Sequence, residues 1–223
     1  MFKHQHPYPP FIPEGANKLI IGTLPPPRFT TGELLPGDVN FCYGSRDGYL
    51  WQILSSIFDT TLEYDDSQNA IEQRKNLLSA NRIGICDIVE CAMREKVDAS
   101  DTGIREARLR PIISILEQHP QISKIIFMGG NSKNGPEYFF RKYLKDFPDL
   151  HLQVINDIVP RIHQIQIKNQ IIQTVSLTAP SGSANRAIGS MPEYKKMKLS
   201  NPDWNTIDYR IKQYKPFFTT LAL

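Results

Sequence analysis

Cysteine is scarce in this chain. Its three cysteines, Cys42, Cys86 and Cys91, form neither a CxxC pair nor a four-ligand set, which argues against a zinc or iron–sulfur site and leaves free thiols as the expectation. Such thiols usually pack as small hydrophobes. Long apolar runs are missing too: nothing approaches the roughly 18 residues of a membrane span, and no basic-apolar-small leader opens the chain. A soluble cytoplasmic protein without a membrane partner is expected. Charge of one sign is weak, at a net +3, so composition permits nucleic acid without demanding it. With no internal repeat or low-complexity linker, the 223 residues suit a single domain with a proper core.

What is present is a rhythm. Four short, β-branched, continuous apolar runs read as strands buried on both faces of a parallel sheet: Lys18 to Thr23, Arg82 to Ile88, Lys124 to Gly130 and Ile171 to Leu177. Between them lie helical spacings at Gly48 to Phe58, Ser67 to Ala80 (with Ser67 as cap), Gly103 to His119 and Gly135 to Phe147. Pro111 marks a kink or a new first turn inside the third, and Pro136 fits the start of the fourth. The alternation predicts a three-layer α/β/α sandwich with a central four-stranded parallel sheet, over residues 1–223. Residues 151–170 read as a hairpin insertion turning at Lys168-Asn169. A C-terminal extension, 191–223, carries a helix from about Asp203 to Tyr214.

Ligands of open α/β sheets sit beyond the carboxyl ends of the strands. That rule gathers four loops into one candidate site: "GTLPPP" with "FCYGSRDGYLW", "CDIVE" with the downstream "REKVDASD", "GGNSKNG", and "TAPSGSANRA". A dinucleotide fingerprint is absent, because the single Gly22 is followed by prolines that cannot line up backbone donors on a pyrophosphate. The third loop lacks the glycine-lysine-hydroxyl ending of a phosphate-binding P-loop.

In order and spacing, "LIIGTLPPP", "NFCYGSRDGYLWQIL", "GICDIVECAMREKVDASD" and "SLTAPSGSANRA" resemble the motifs of the uracil-DNA glycosylase superfamily. The hypoxanthine (deoxyinosine) and mismatch-specific branches are the most similar. The resemblance covers about residues 8 to 190 and implies a uracil-DNA glycosylase-like fold. It also implies a repair enzyme that flips a deaminated base, uracil or hypoxanthine, from DNA and hydrolyses its N-glycosidic bond. Its partner would be DNA holding a damaged or mismatched base, bound by a monomer with no cofactor and no metal.

The same resemblance assigns roles. Gly22 gives close approach and Thr23 a hydroxyl, while Pro25 and Pro26 form a stiff wall against the nucleotide or its phosphates. Phe41 or Tyr43 stacks on the base, or packs under its own loop. Asp87 contacts the base edge or caps the following turn, and Asn131 joins from the third loop. Ser181, Gly182, Ser183 and Asn185 grip the DNA backbone, or simply open a helix. Arg186, Lys195 and Lys196 begin a basic stretch that continues to Lys215 and that phosphates would find attractive, if it is more than a solvated face.

The chain departs from the family at its catalytic positions. Leu24 stands where several branches carry an acid or amide, and Gly48 where an Asn is expected. Neither activates water. Asp47, beside Gly48, becomes the candidate general base or oxocarbenium stabiliser, with Asp38 in reserve. Two alternatives stay open: a non-catalytic nucleic-acid or nucleotide binder of the same fold, and an enzyme acting on free nucleosides or nucleotides.

Overall fold

The computed structural model describes residues 1–95 and 103–219. Part of "REKVDASD" therefore lies outside the described residues. The chain runs β1 (Phe2–Gln5), β2 (Lys18–Gly22), α1 (Arg28–Thr31), α2 (Leu50–Ile57), α3 (Gln68–Ala80), β3 (Ile83–Asp87), β4 (Val89–Arg94) and β5 (Ile104–Leu109). It continues through α4 (Ile112–Gln118), β6 (Lys124–Phe127), α5 (Pro136–Tyr143), β7 (Gln153–Asn156), β8 (Arg161–Ile167), β9 (Gln170–Ser176), α6 (Asn185–Ser190), α7 (Pro192–Ser200) and α8 (Thr206–Thr219).

The four expected strands are neighbours in the order β3-β2-β6-β9, each pair parallel, but the expectation of a four-stranded all-parallel sheet needs correction. The sheet has six strands and is mixed. β8 pairs antiparallel with β9 through the Lys168-Asn169 turn, where Lys168 takes φ +53°, and β7 then pairs antiparallel with β8. The hairpin covers the β9 edge, whose ladder groups would otherwise be unpaired.

Burial on both faces follows from the alternation within each strand. Ile20 and Ile126 face a cluster containing Trp51, Leu54, Leu77 and Tyr214 from α2, α3 and α8, while Leu19, Ile21, Ile125 and Phe127 face Ile113, Leu116, Phe139 and Phe140 from α4 and α5. Each such side chain contributes about 1.5–3 kcal/mol when buried. Helices thus cover both faces of a firmly held sheet, and its strand ends are fixed platforms for loops.

Local signals explain the helix starts. Ser67 accepts a hydrogen bond from the Ala70 N–H at 3.1 Å, and Pro136 stands in the first turn of α5. The helix expected from Gly103 to His119 is a second correction. Only its part beyond Pro111 is helical, as α4. Residues Ile104–Leu109 form β5, which pairs antiparallel with β4. A residue preceding proline is biased away from helical backbone, and the open edge of β4 supplies a partner that local spacing does not reveal. β1 pairs with the other edge of β4, making a small sheet of order β1-β4-β5 that grows out of the end of β3.

Candidate functional site at the strand ends

The loops after β2 and β3 meet directly. Gly22 stands opposite Asp87 in the parallel register, and the Ile88 N–H donates to the Gly22 carbonyl at 2.9 Å. Tyr43, held at φ +56°, turns back over the same point. A Cβ on Gly22 would collide with both the Tyr43 hydroxyl and Asp87 Oδ1, so glycine is required there by close approach of a phenol and a carboxylate.

Asp87 is 4% exposed. His6 Nε2 lies 2.9 Å from Asp87 Oδ2, and His6 Nδ1 accepts the Tyr8 backbone N–H at 3.1 Å. The acceptor role of Nδ1 places the proton on Nε2, which therefore donates to Asp87. Asp87 Oδ1 is buried without a hydrogen-bond partner. Leaving a buried acceptor unsatisfied costs about 1–3 kcal/mol, more when it is charged. Burial, reinforced by the Asp87 charge, pushes the Cys86 thiol up to about 12 and the Cys42 thiol well above its ordinary value. Both are inert core groups, as their composition suggested.

Asp38 is equally buried but fully occupied. Its carboxylate accepts from Arg28 Nε at 2.7 Å and Arg28 Nη2 at 2.9 Å, and from the backbone N–H groups of Leu35 and Arg46, each at 2.9 Å. Burial would raise its carboxyl, yet the hydrogen bonds from Arg28, Arg46 and Leu35 outweigh that and hold it below its ordinary value. Such a carboxylate staples the loop and is a poor proton acceptor, which corrects its reserve role as base. Asp47 contacts the outer side of the same guanidinium at 3.2 Å, and its side chain is 69% exposed.

The loop after β9 reaches the cluster's surroundings through the Tyr43 loop. Gly48 bridges to Ser181, and the Tyr49 N–H donates to the Pro180 carbonyl at 2.9 Å. Buried Arg210 of α8 holds that loop from behind, donating to Ala179 O at 2.9 Å, Ser181 O at 2.8 Å and Asn185 Oδ1 at 2.9 Å. Asn185 is thereby engaged inside the protein, and its oxygen also accepts from Thr206. Ser181 and Ser183 share a hydrogen bond of 2.9 Å at the surface, and Gly182 lies exposed between them. Arg186, Lys195 and Lys196 are exposed.

The other expected residues divide. Thr23 is buried, Pro25 is buried and Pro26 half-buried, and the proline run leads into α1 with the Phe29 N–H on the Pro26 carbonyl. Leu24 packs against the core cluster beneath α4 and α5. Phe41 is 6% exposed and contacts the rings of Tyr8, Phe11 and Trp51 at 5.9–6.4 Å between centroids, so its packing alternative is realised. Asn131 is exposed in the loop after β6. A side chain at Gly129 in that loop would reach Ala179 of the β9 loop.

Sequence reasoning missed His6. The His4-Gln5-His6 alternation puts two histidines on one face of β1, and only the fold brings the second of them to Asp87. Among the described residues no group of three or more His, Cys, Asp or Glu is placed to hold a metal ion. No helix among them is long and apolar enough to cross a membrane. Two open hollows, one at Trp204 and Lys212, the other at Phe147 and Leu152, include neither Asp87 nor Tyr43. No protein-family model, curated protein or solved structure matches the chain.

Proposed function

We propose that the chain is a DNA glycosylase with a uracil-DNA glycosylase-like fold, directed at deaminated bases. One observation carries this reading: a buried, half-satisfied Asp87 carboxylate beside a tyrosine hydroxyl, over a glycine at the carboxyl ends of parallel strands. Deamination turns the N=C–NH2 edge of cytosine or adenine into the N–H and C=O of a cyclic amide. A carboxylate oxygen accepts that N–H, and a phenol hydroxyl donates to that carbonyl. Unmodified cytosine and adenine present a ring nitrogen lone pair to the carboxylate instead, and are repelled.

The pair also has a use in bond cleavage. As the glycosidic bond breaks, negative charge spreads into the departing base and onto its carbonyl oxygen, where a hydrogen bond from Tyr43 gains strength. The base must leave the DNA stack to reach this edge. Ser181, Gly182 and Ser183 at the surface, with Arg186, Lys195 and Lys196, would receive the backbone.

A second reading is favoured by a specific observation. Leu24 packs against the core, Gly48 is bridged to Ser181, Asp38 is saturated and Asp47 is paired with Arg28, so no position that suggested a water-activating group offers an unpaired carboxylate. A base-binding protein without hydrolysis would have this composition. Incubation with a panel of single-lesion oligonucleotides, followed by alkaline cleavage, separates the two. Excision at uracil or hypoxanthine, reduced about 100-fold or more in Asp87→Ala, supports the enzyme. Lesion-specific binding with no cleavage supports the binder, and neither result at any lesion refutes both.

A further inference from the structure

We propose that the N-terminal strand is a working part of this site, with His6 as the positioning residue that makes Asp87 a one-sided acceptor. Oδ2 is occupied by His6, and Oδ1 is held for a ring N–H of the bound base. The inference rests on the reading of the site given above.

The route to His6 is fixed by backbone pairing. β1 aligns antiparallel with β4, Gln5 opposite Cys91, and the His6 N–H continues the ladder to the Glu90 carbonyl at 2.8 Å. Glu90 follows Asp87 by three residues, so the ladder delivers the imidazole to the carboxylate. Beyond it the chain is pinned again, because the Tyr8 carbonyl accepts from Arg110 at 2.8 Å and the Tyr8 hydroxyl donates to Asn40 Oδ1 at 2.7 Å. His6 is 6% exposed, and both ring nitrogens are engaged.

That double engagement distinguishes positioning from filling. Rotating the ring by half a turn would put Cε1–H against Asp87 and Cδ2–H against the Tyr8 N–H, and the other tautomer would aim a lone pair at Asp87 and an N–H at the Tyr8 N–H, so either change loses both hydrogen bonds. The ring therefore has one orientation, and through its Nε2–H so does the carboxylate. Without it, Asp87 is free to turn about its terminal torsion, a broad and soft one. The spare oxygen would then no longer be kept in place for the ligand. Preorganisation of the acceptor, rather than added contact with the base, is what His6 contributes.

The test uses the full chain and reads the arrangement apart from the ligand. Long-range 1H–15N NMR should find His6 as the Nε2–H tautomer, with its Nε2 resonance moved in Asp87→Asn. Free uracil and hypoxanthine are then titrated against 3-methyluracil and 1-methylhypoxanthine, which lack the N–H. The parent bases should bind about ten-fold or more tighter than the methylated ones. His6→Phe, which keeps the volume and loses the donor, should abolish most of that discrimination, and His6→Gln, which restores an N–H donor, should recover part of it. An Nδ1–H tautomer, or His6→Phe discriminating as the wild type does, overturns the proposal. The expected tautomer in a protein that binds none of the four bases sinks the reading of the site, and this inference with it. The tautomer measurement on the wild type needs no variant to fold.

Discussion

Among the described residues Asp38 and Asp87 are the two buried aspartates, 1% and 4% exposed, and their surroundings are opposite. Around Asp38 every acceptor position is filled, by one guanidinium and two backbone N–H groups. Around Asp87 one oxygen is filled by His6 and the other is left alone. The difference shows that burial of an acid is not in itself a functional signal. Saturation marks a staple, and an orphaned oxygen costs stability that a binding site recovers only when a donor arrives.

The comparison breaks most readily at Asp38. Asp38→Ala strands the Arg28 guanidinium and two backbone donors and should cost about 3–5 kcal/mol, lowering Tm by about 10 °C. Asp87→Asn, by contrast, should stay within about 1 kcal/mol of wild type, since it keeps an oxygen for His6 and discharges a carboxylate whose Oδ1 has no partner. Urea and thermal unfolding of the two variants measure the contrast, and equal losses would erase it. Because the folded Asp38 carboxyl is held below its ordinary value, its contribution is full above the unfolded pKa of about 3.9 and disappears as pH falls through the lower folded value.

A smaller effect sharpens the comparison on the side of the N-terminal strand. Burial first, then the Arg94 charge, lowers the His4 imidazole to about 4, and its Nδ1 accepts from Arg94 Nε at 2.7 Å. The unfolded chain takes up this proton near pH 6.5 while the folded one resists it, so stability is complete above about 6.5 and declines as pH falls toward 4. His4→Gln should flatten that decline in Tm against pH; an unchanged profile would assign the acid sensitivity elsewhere. The smallest change touches neither aspartate. Lys195→Ala with Lys196→Ala should leave unfolding unaltered and reduce the salt dependence of DNA binding by up to about two counterions in the log–log slope. An unaltered slope would make α7 a solvated face and nothing more.

Much of the frame was legible in the residues. The four continuous apolar runs became four neighbouring parallel strands because a run filled on both faces has one stable environment, the middle of a covered sheet. Ser67 and Pro136 marked helix starts through local chemistry alone. β1, β4 and β5 were not legible, being short strands whose only cause is one another's edges. Within the site, Gly22, Tyr43 and Asp87 did converge, whereas Asp38 and Asp47 were gathered by Arg28, a residue that sequence spacing gave no reason to consider.

By itself the sequence determined the four core strands and at which end of them the polar loops gather, since period, glycine and proline act within a few residues. Only the tertiary structure decided which carboxylate keeps a spare lone pair. Hydrogen-bond satisfaction is settled by partners distant along the chain, as His6 and Asp87 are 81 residues apart, and no local pattern records whether such a partner arrives.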